Sequence, residues 1–116
     1  TGHGVGFFLN VHEGPQSISK YNIIKIEKGM ILSNEPGFYK KNYFGIRIEN
    51  LVYVRQAKNN LYFENLTLAP IEKDLINYTL LDKKEKDYLF KYHLSIYAEY
   101  SSLLNKKERK WLASLI

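Results

Sequence analysis

The stretch ILSNEPGFYKKNYFGIRIENLVYV, residues 31–54, limits the fold more than any other part of the chain. Two strand-like runs flank the polar KKNYFG, and a chain that reverses there closes as an antiparallel hairpin. Pairing symmetric about Asn42 sets Glu35 roughly opposite Glu49. Directly opposed residues hold their Cβ atoms ~5 Å apart. Two carboxylates that close repel, and one stays protonated unless a cation lies between them. The pattern alone favours two surface carboxylates on a hairpin. The alternative is a divalent metal, and carboxylates with imidazole suit manganese, cobalt or zinc. Pro36 disturbs the strict pairing. Arg47 lies on the Glu49 face, as an ordinary ion-pair partner or as a group orienting a ligand carboxylate.

The rest of the chain divides into strand-like residues 1–76 and helical residues 79–116. Phe44–Val54 alternates as one strand, with Phe44, Ile46, Ile48 and Val52 on one face and Arg47, Glu49 and Leu51 on the other. Pro36-Gly37 and Glu13-Gly14-Pro15 read as turns, RQAKNN (residues 55–60) as a polar loop, and LYFENLTLAPI (residues 61–71) as a strand stopped by Pro70. Asp82 with Glu85 and Asn105 with Glu108 have capping-box spacing and open two helices. Leu89, Tyr92, His93, Ile96 and Tyr100 recur at helical spacing on one face, and Trp111, Leu112 and Leu115 form the face of the second helix. His93 on that apolar face is a packing residue.

Composition removes several functions. The absence of cysteine excludes disulfides and thiolate metal sites and fits a reducing compartment. No apolar run approaches the ~18 residues of a membrane span. The net charge of +5 is spread over pairs such as Lys40-Lys41, Lys83-Lys84 and Lys106-Lys107 at turns and helix starts. That is a solvated surface and not the basic stripe of a nucleic-acid binder. Dinucleotide and P-loop fingerprints, the G-x-S-x-G elbow and H-E-x-x-H are all missing. His3, flanked by Gly2 and Gly4, and His12, before Glu13-Gly14-Pro15, remain open between surface and catalytic roles.

Taken together and in order, TGHGVG, NVHEGP, SNEPGFY and GIRIEN resemble the C-terminal part of Xaa-Pro aminopeptidase (aminopeptidase P). That enzyme is a pita-bread metallopeptidase related to prolidase, creatinase and methionine aminopeptidase. The resemblance runs on through LTLAPIEKDLI, the LLDKKEKDYLFKYH helix and the tryptophan-bearing last helix, over nearly all 116 residues. It implies an α+β fold, the C-terminal half of a pita-bread domain, with an antiparallel curved sheet followed by C-terminal helices. It also implies two divalent ions, most often manganese, with cobalt or zinc as alternatives.

By the same resemblance, His3, Glu35 and Glu49 are metal ligands, Glu49 bridging both ions and Glu35 also moving protons. His12 faces the scissile carbonyl, and Arg47 supports the ligands. The implied reaction is hydrolysis of the peptide bond before a proline at the second position. Prolidase and a non-catalytic peptide-binding pita-bread module are the alternatives. A cytoplasmic, homo-oligomeric full-length protein is implied, with no nucleic-acid or membrane partner.

The family site needs two further aspartates and another histidine from earlier strands. Here the aspartates are Asp74, Asp82 and Asp87, all after the glutamates. Residues 1–116 are therefore expected to form an incomplete domain, inactive without an N-terminal half, whether as a truncated piece, a split-gene product or a gene relic.

Overall fold

The computed structural model describes residues 1–116. Seven strands come first: β1 (Gly2–Gly4), β2 (Glu13–Ile18), β3 (Ile31–Asn34), β4 (Gly37–Lys40), β5 (Phe44–Arg47), β6 (Asn50–Ala57) and β7 (Asn60–Asn65). A short 3₁₀ turn (Lys73–Leu75) and the helices α1 (Lys83–Tyr100) and α2 (Lys106–Leu115) follow. The chain forms two compact units, Thr1–Thr67 and Leu68–Ile116.

In the first unit every strand pair is antiparallel. One sheet runs β2-β1-β3-β6-β7, and β4-β5 is a separate ribbon. The ribbon and the β3–β6 ladder share a single register. Asn34 pairs with Asn50, and three positions further along each arm Gly37 pairs with Arg47. The symmetry about Asn42 therefore holds, and Asn42 itself takes a φ of 58° at the hairpin tip, a conformation asparagine tolerates better than most residues.

The expected single strand Phe44–Val54 is two strands, interrupted at Ile48 and Glu49. Pro36 is the cause. Its carbonyl accepts the Ile48 N–H at 3.2 Å, but its nitrogen has no hydrogen to return. Register survives the proline while the ladder does not. Pro36-Gly37 is accordingly not a reversal, since the chain passes straight from β3 into β4.

Three further expectations change. RQAKNN is mostly strand, with only Lys58 and Asn59 left as the β6–β7 connection and Lys58 at a φ of 52°. The strand expected over LYFENLTLAPI stops at Asn65, well before Pro70. Residues Glu13–Ile18 form edge strand β2 instead of a turn, and an edge is where a proline such as Pro15 is tolerated. Leu32, Val52 and Val54 make the core, with Ile18, Ile26 and Met30 packed on it. Every residue of the β4–β5 ribbon is exposed.

In the second unit both capping boxes form. The Asp82 carboxylate accepts the Glu85 N–H at 2.8 Å, and the Glu85 carboxylate accepts the Asp82 N–H at 2.9 Å. Asn105 and Glu108 repeat the exchange at the start of α2. Tyr92, Ile96 and Leu112 form the core, with Leu68, Ile71, Tyr97 and Leu104 against it. His93 is buried on the α1 face as expected, and its Nε2 accepts the Ile71 N–H at 3.1 Å. Trp111 departs from expectation at 62% exposed, because Leu112, one position on, takes the inward direction. Tyr100, at the end of α1, is also on the exposed side.

Candidate metal centre

The site is built on the closeness of β1 to β3. A Cβ on Gly2 would lie 1.9 Å from the Ser33 carbonyl oxygen, so this position admits glycine alone. That approach places His3 beside the end of β3, where Glu35 follows. The Glu35 backbone is tied in turn to Thr1, its N–H donating to the Thr1 carbonyl at 2.9 Å and its carbonyl accepting the Thr1 hydroxyl at 2.9 Å.

Hydrogen bonding selects the histidine tautomer. His3 Nδ1 lies 2.7 Å from the Gly4 carbonyl oxygen, which can only accept, so the neutral ring carries its proton on Nδ1. The lone pair of Nε2 then faces Glu35 Oε1 at 3.2 Å. Two lone pairs at that distance call for a positive charge between them, a proton or a metal ion. Glu35 Oε1 also accepts the Ser33 hydroxyl at 2.7 Å, and Oε2 accepts Arg47 at 2.8 Å. Each carboxylate oxygen has two lone pairs, so each keeps one for a further partner.

The Ser33 hydrogen bond holds the Glu35 pKa below its ordinary value. Partial burial opposes this, and the charges of Arg47, His3 and His12 reinforce it. The shared hairpin register sets Glu49 opposite Glu35. Ligand atoms of His3, Glu35 and Glu49 all lie within 4.8 Å of one another, with Glu49 exposed and the other two partly buried. One imidazole and two carboxylates form a donor set that fits a divalent ion.

His12 stands beside this cluster, its ring centroid 4.5 Å from that of His3 and edge-on to it at 73°. It ends a loop that Glu13 ties down, accepting the Asn10 N–H at 2.8 Å and the Phe8 N–H at 3.3 Å. His3, His12, Glu35, Arg47 and Tyr39 line one pocket of about 420 Å³. All five residues singled out from sequence thus lie in one region: His3, Glu35 and Glu49 converge, Arg47 bonds Glu35, and His12 flanks His3.

Sequence reasoning passed over Ser33 and Tyr39, whose hydroxyl accepts Arg47 Nε at 2.9 Å. The two-residue spacing of Ser33 from Glu35 and of Arg47 from Glu49 was the available signal, because alternate strand residues share a face. Asp74, Asp82 and Asp87 belong to the other unit, where Asp82 is a helix cap.

The chain belongs to metallopeptidase family M24. The model of that family matches residues 1–56, and the model of the C-terminal region of peptidase M24 matches residues 59–115. Among individual proteins, the chain is 47% identical to Aminopeptidase P2 of Arabidopsis thaliana over 97% of its own length and 17% of the relative's. It is 43% identical to Xaa-Pro aminopeptidase 1 of Dictyostelium discoideum over its whole length and 21% of that protein. The crystal structure of X-prolyl aminopeptidase from Caenorhabditis elegans, described as a cytosolic enzyme with a di-nuclear active site, superposes with a TM-score of 0.87. It is 39% identical, and the match covers 99% of this chain and 20% of that one. The antiparallel sheet and C-terminal helices are thus those of a pita-bread enzyme. The chain spans about a fifth of the length of the relatives it matches.

Proposed function

We propose that the protein containing this chain is a metal-dependent Xaa-Pro aminopeptidase, cleaving the peptide bond before a proline at the second position. The observation that carries this is the facing pair of His3 Nε2 and Glu35 Oε1 at 3.2 Å, with the Glu49 carboxylate in the same cluster. The similarity to the plant Aminopeptidase P2, the slime-mould Xaa-Pro aminopeptidase 1 and the nematode X-prolyl aminopeptidase supports the choice of reaction. His3, Glu35 and Glu49 would hold two divalent ions, manganese before cobalt or zinc, together with ligands from outside this chain. Such ions supply Lewis acidity and lower the pKa of the water they bind.

The chain's own residues account for the remaining chemistry. Glu35, held ionised, accepts a proton from the attacking water. It then passes that proton to the departing proline nitrogen. His12, on the pocket wall beside His3, donates a hydrogen bond to the carbonyl oxygen as negative charge develops there. Arg47 holds Glu35 Oε2 and is itself oriented by Tyr39. A cytoplasmic location and homo-oligomeric assembly complete the proposal, the first supported by the description of the nematode enzyme.

The test is hydrolysis of Xaa-Pro-containing peptides by the full-length protein. Cleavage is expected with manganese, is abolished by chelation, and extends to peptides longer than the dipeptides prolidase requires. The 116-residue chain alone is expected to be inactive, because the family site needs two further aspartates and Asp74, Asp82 and Asp87 all follow the glutamates in the chain. Chelator-resistant cleavage, or cleavage of dipeptides alone, overturns the assignment.

A further inference from the structure

We propose that Ser33 is a positioning residue for the metal centre, fixing His3 and Glu35 relative to each other through one hydroxyl group. The inference rests on the metal-site reading above and goes beyond it, since Ser33 is not among the ligands. Ser33 is fully buried on β3. Its Oγ accepts the His3 backbone N–H at 2.9 Å and lies 2.7 Å from Glu35 Oε1. An amide can only donate, so the single hydroxyl proton is committed to the carboxylate.

The result is a closed circuit. It runs from the His3 backbone through Ser33 Oγ to Glu35 Oε1, and returns to His3 at Nε2, 3.2 Å away. Two candidate ligands from different strands are thereby set at one separation and one orientation. Without the hydroxyl, Glu35 keeps the Arg47 contact on Oε2, and that arginine side chain is 49% exposed. A carboxylate held at one oxygen by a single exposed partner can pivot about that bond. The oxygen that moves is Oε1, the one facing His3. A hydrogen bond from a buried hydroxyl to an ionised carboxylate is short, directional and stronger than a neutral one.

The circuit also explains a serine at a sheet position whose neighbour Leu32 is a core residue. The His3 amide takes a side-chain acceptor, so the strand that brings in the imidazole is bonded to the same atom that orients the carboxylate. Outer partners of metal ligands commonly control metal affinity by about 10–100-fold, one to two decades.

The experiment compares wild type, Ser33→Ala, Ser33→Thr and Ser33→Cys in the full-length protein. Manganese affinity is read from the free-ion EPR signal, kcat and KM from an Xaa-Pro peptide, and folding from circular dichroism. Ser33→Ala is expected to weaken manganese binding by about 10–100-fold and to lower kcat with little change in KM. Ser33→Thr, which retains the hydroxyl, recovers most of both. Ser33→Cys keeps the volume but is a poor donor, and its sulfur does not attract hard manganese. It should therefore follow Ser33→Ala, and it serves in its place should the alanine variant not fold.

Wild-type affinity in folded Ser33→Ala or Ser33→Cys overturns the inference. So does a folded Ser33→Thr as weak as Ser33→Ala. His3→Ala is the control for the underlying reading. If wild type and His3→Ala bind manganese equally, the metal site itself is misassigned and the role of Ser33 falls with it.

Discussion

Around β1 and β3, polar side chains are turned on one another: Ser33 on Glu35, Arg47 on Glu35 and Tyr39, His3 on Glu35. In Leu68–Ile116, apart from the Thr79 hydroxyl on Asn77, they are mostly turned on the backbone. Asp82, Glu85, Asn105 and Glu108 bond helix-terminal amides, Tyr92 donates to the Ala69 carbonyl at 2.8 Å, and His93 accepts from the Ile71 amide. The contrast separates two uses of polarity. Side chains aimed at the backbone satisfy groups the fold would otherwise leave bare. Side chains aimed at each other leave some lone pairs open, and those can take a ligand. A family match alone does not distinguish the units in this way, since it covers both.

The comparison breaks if the helical unit proves to control the site. Ile96 is fully buried in the core of α1 and α2. Ile96→Ala should cost ~2–5 kcal/mol, read from thermal unfolding followed by circular dichroism, while manganese affinity of the folded protein stays at the wild-type value. A parallel fall in affinity shows that the two uses of polarity are not separable.

The reverse experiment is smaller in stability and larger in function. Gly2→Ala forces a methyl against the Ser33 carbonyl, and such overpacking costs ~1–3 kcal/mol. The strand carrying His3 must shift, so manganese binding should be lost while the capping boxes remain intact. Unchanged manganese affinity in this variant refutes the account of how β1 is seated.

The smallest effect is the pH response of His93. Burial depresses its pKa below the ordinary 6.5, and the bond from Ile71 requires an unprotonated Nε2. Above 6.5 the imidazole is neutral in both folded and unfolded chains, and its full contribution is present. As pH falls below that value the unfolded chain takes up the proton first, so stability declines toward the depressed folded pKa. Thermal midpoints measured from about pH 8 to about pH 5 should fall less steeply in His93→Gln than in wild type. Equal slopes remove His93 as the source.

Local chemistry was the legible part of the sequence. The hairpin register follows from turn residues around Asn42, and both helix starts follow from cap and partner within four positions. The register also brought Glu35 and Glu49 to one place. What stayed hidden depends on partners distant in the chain. Ser33 gains its role only when β1 arrives from 30 residues away, and Tyr39 gains its own only through Arg47 across the ribbon. The break at Pro36 was visible as a proline. That it would interrupt the ladder yet preserve the register follows from its carbonyl still accepting from Ile48, which residue type alone does not reveal. Trp111 illustrates a different limit, because helical spacing identifies an apolar stripe without saying which neighbour takes its centre.

The unbroken register across Pro36 has a consequence for how this chain can change length. The β4–β5 ribbon can grow or shrink by one residue on each arm, and Glu35 stays opposite Glu49. A residue added to one arm alone slides the arms by one position and turns the carboxylate that moved to the other face. Insertions and deletions between the two glutamates are therefore permitted in matched pairs, so the site places a parity condition on a segment that none of its own ligands occupies.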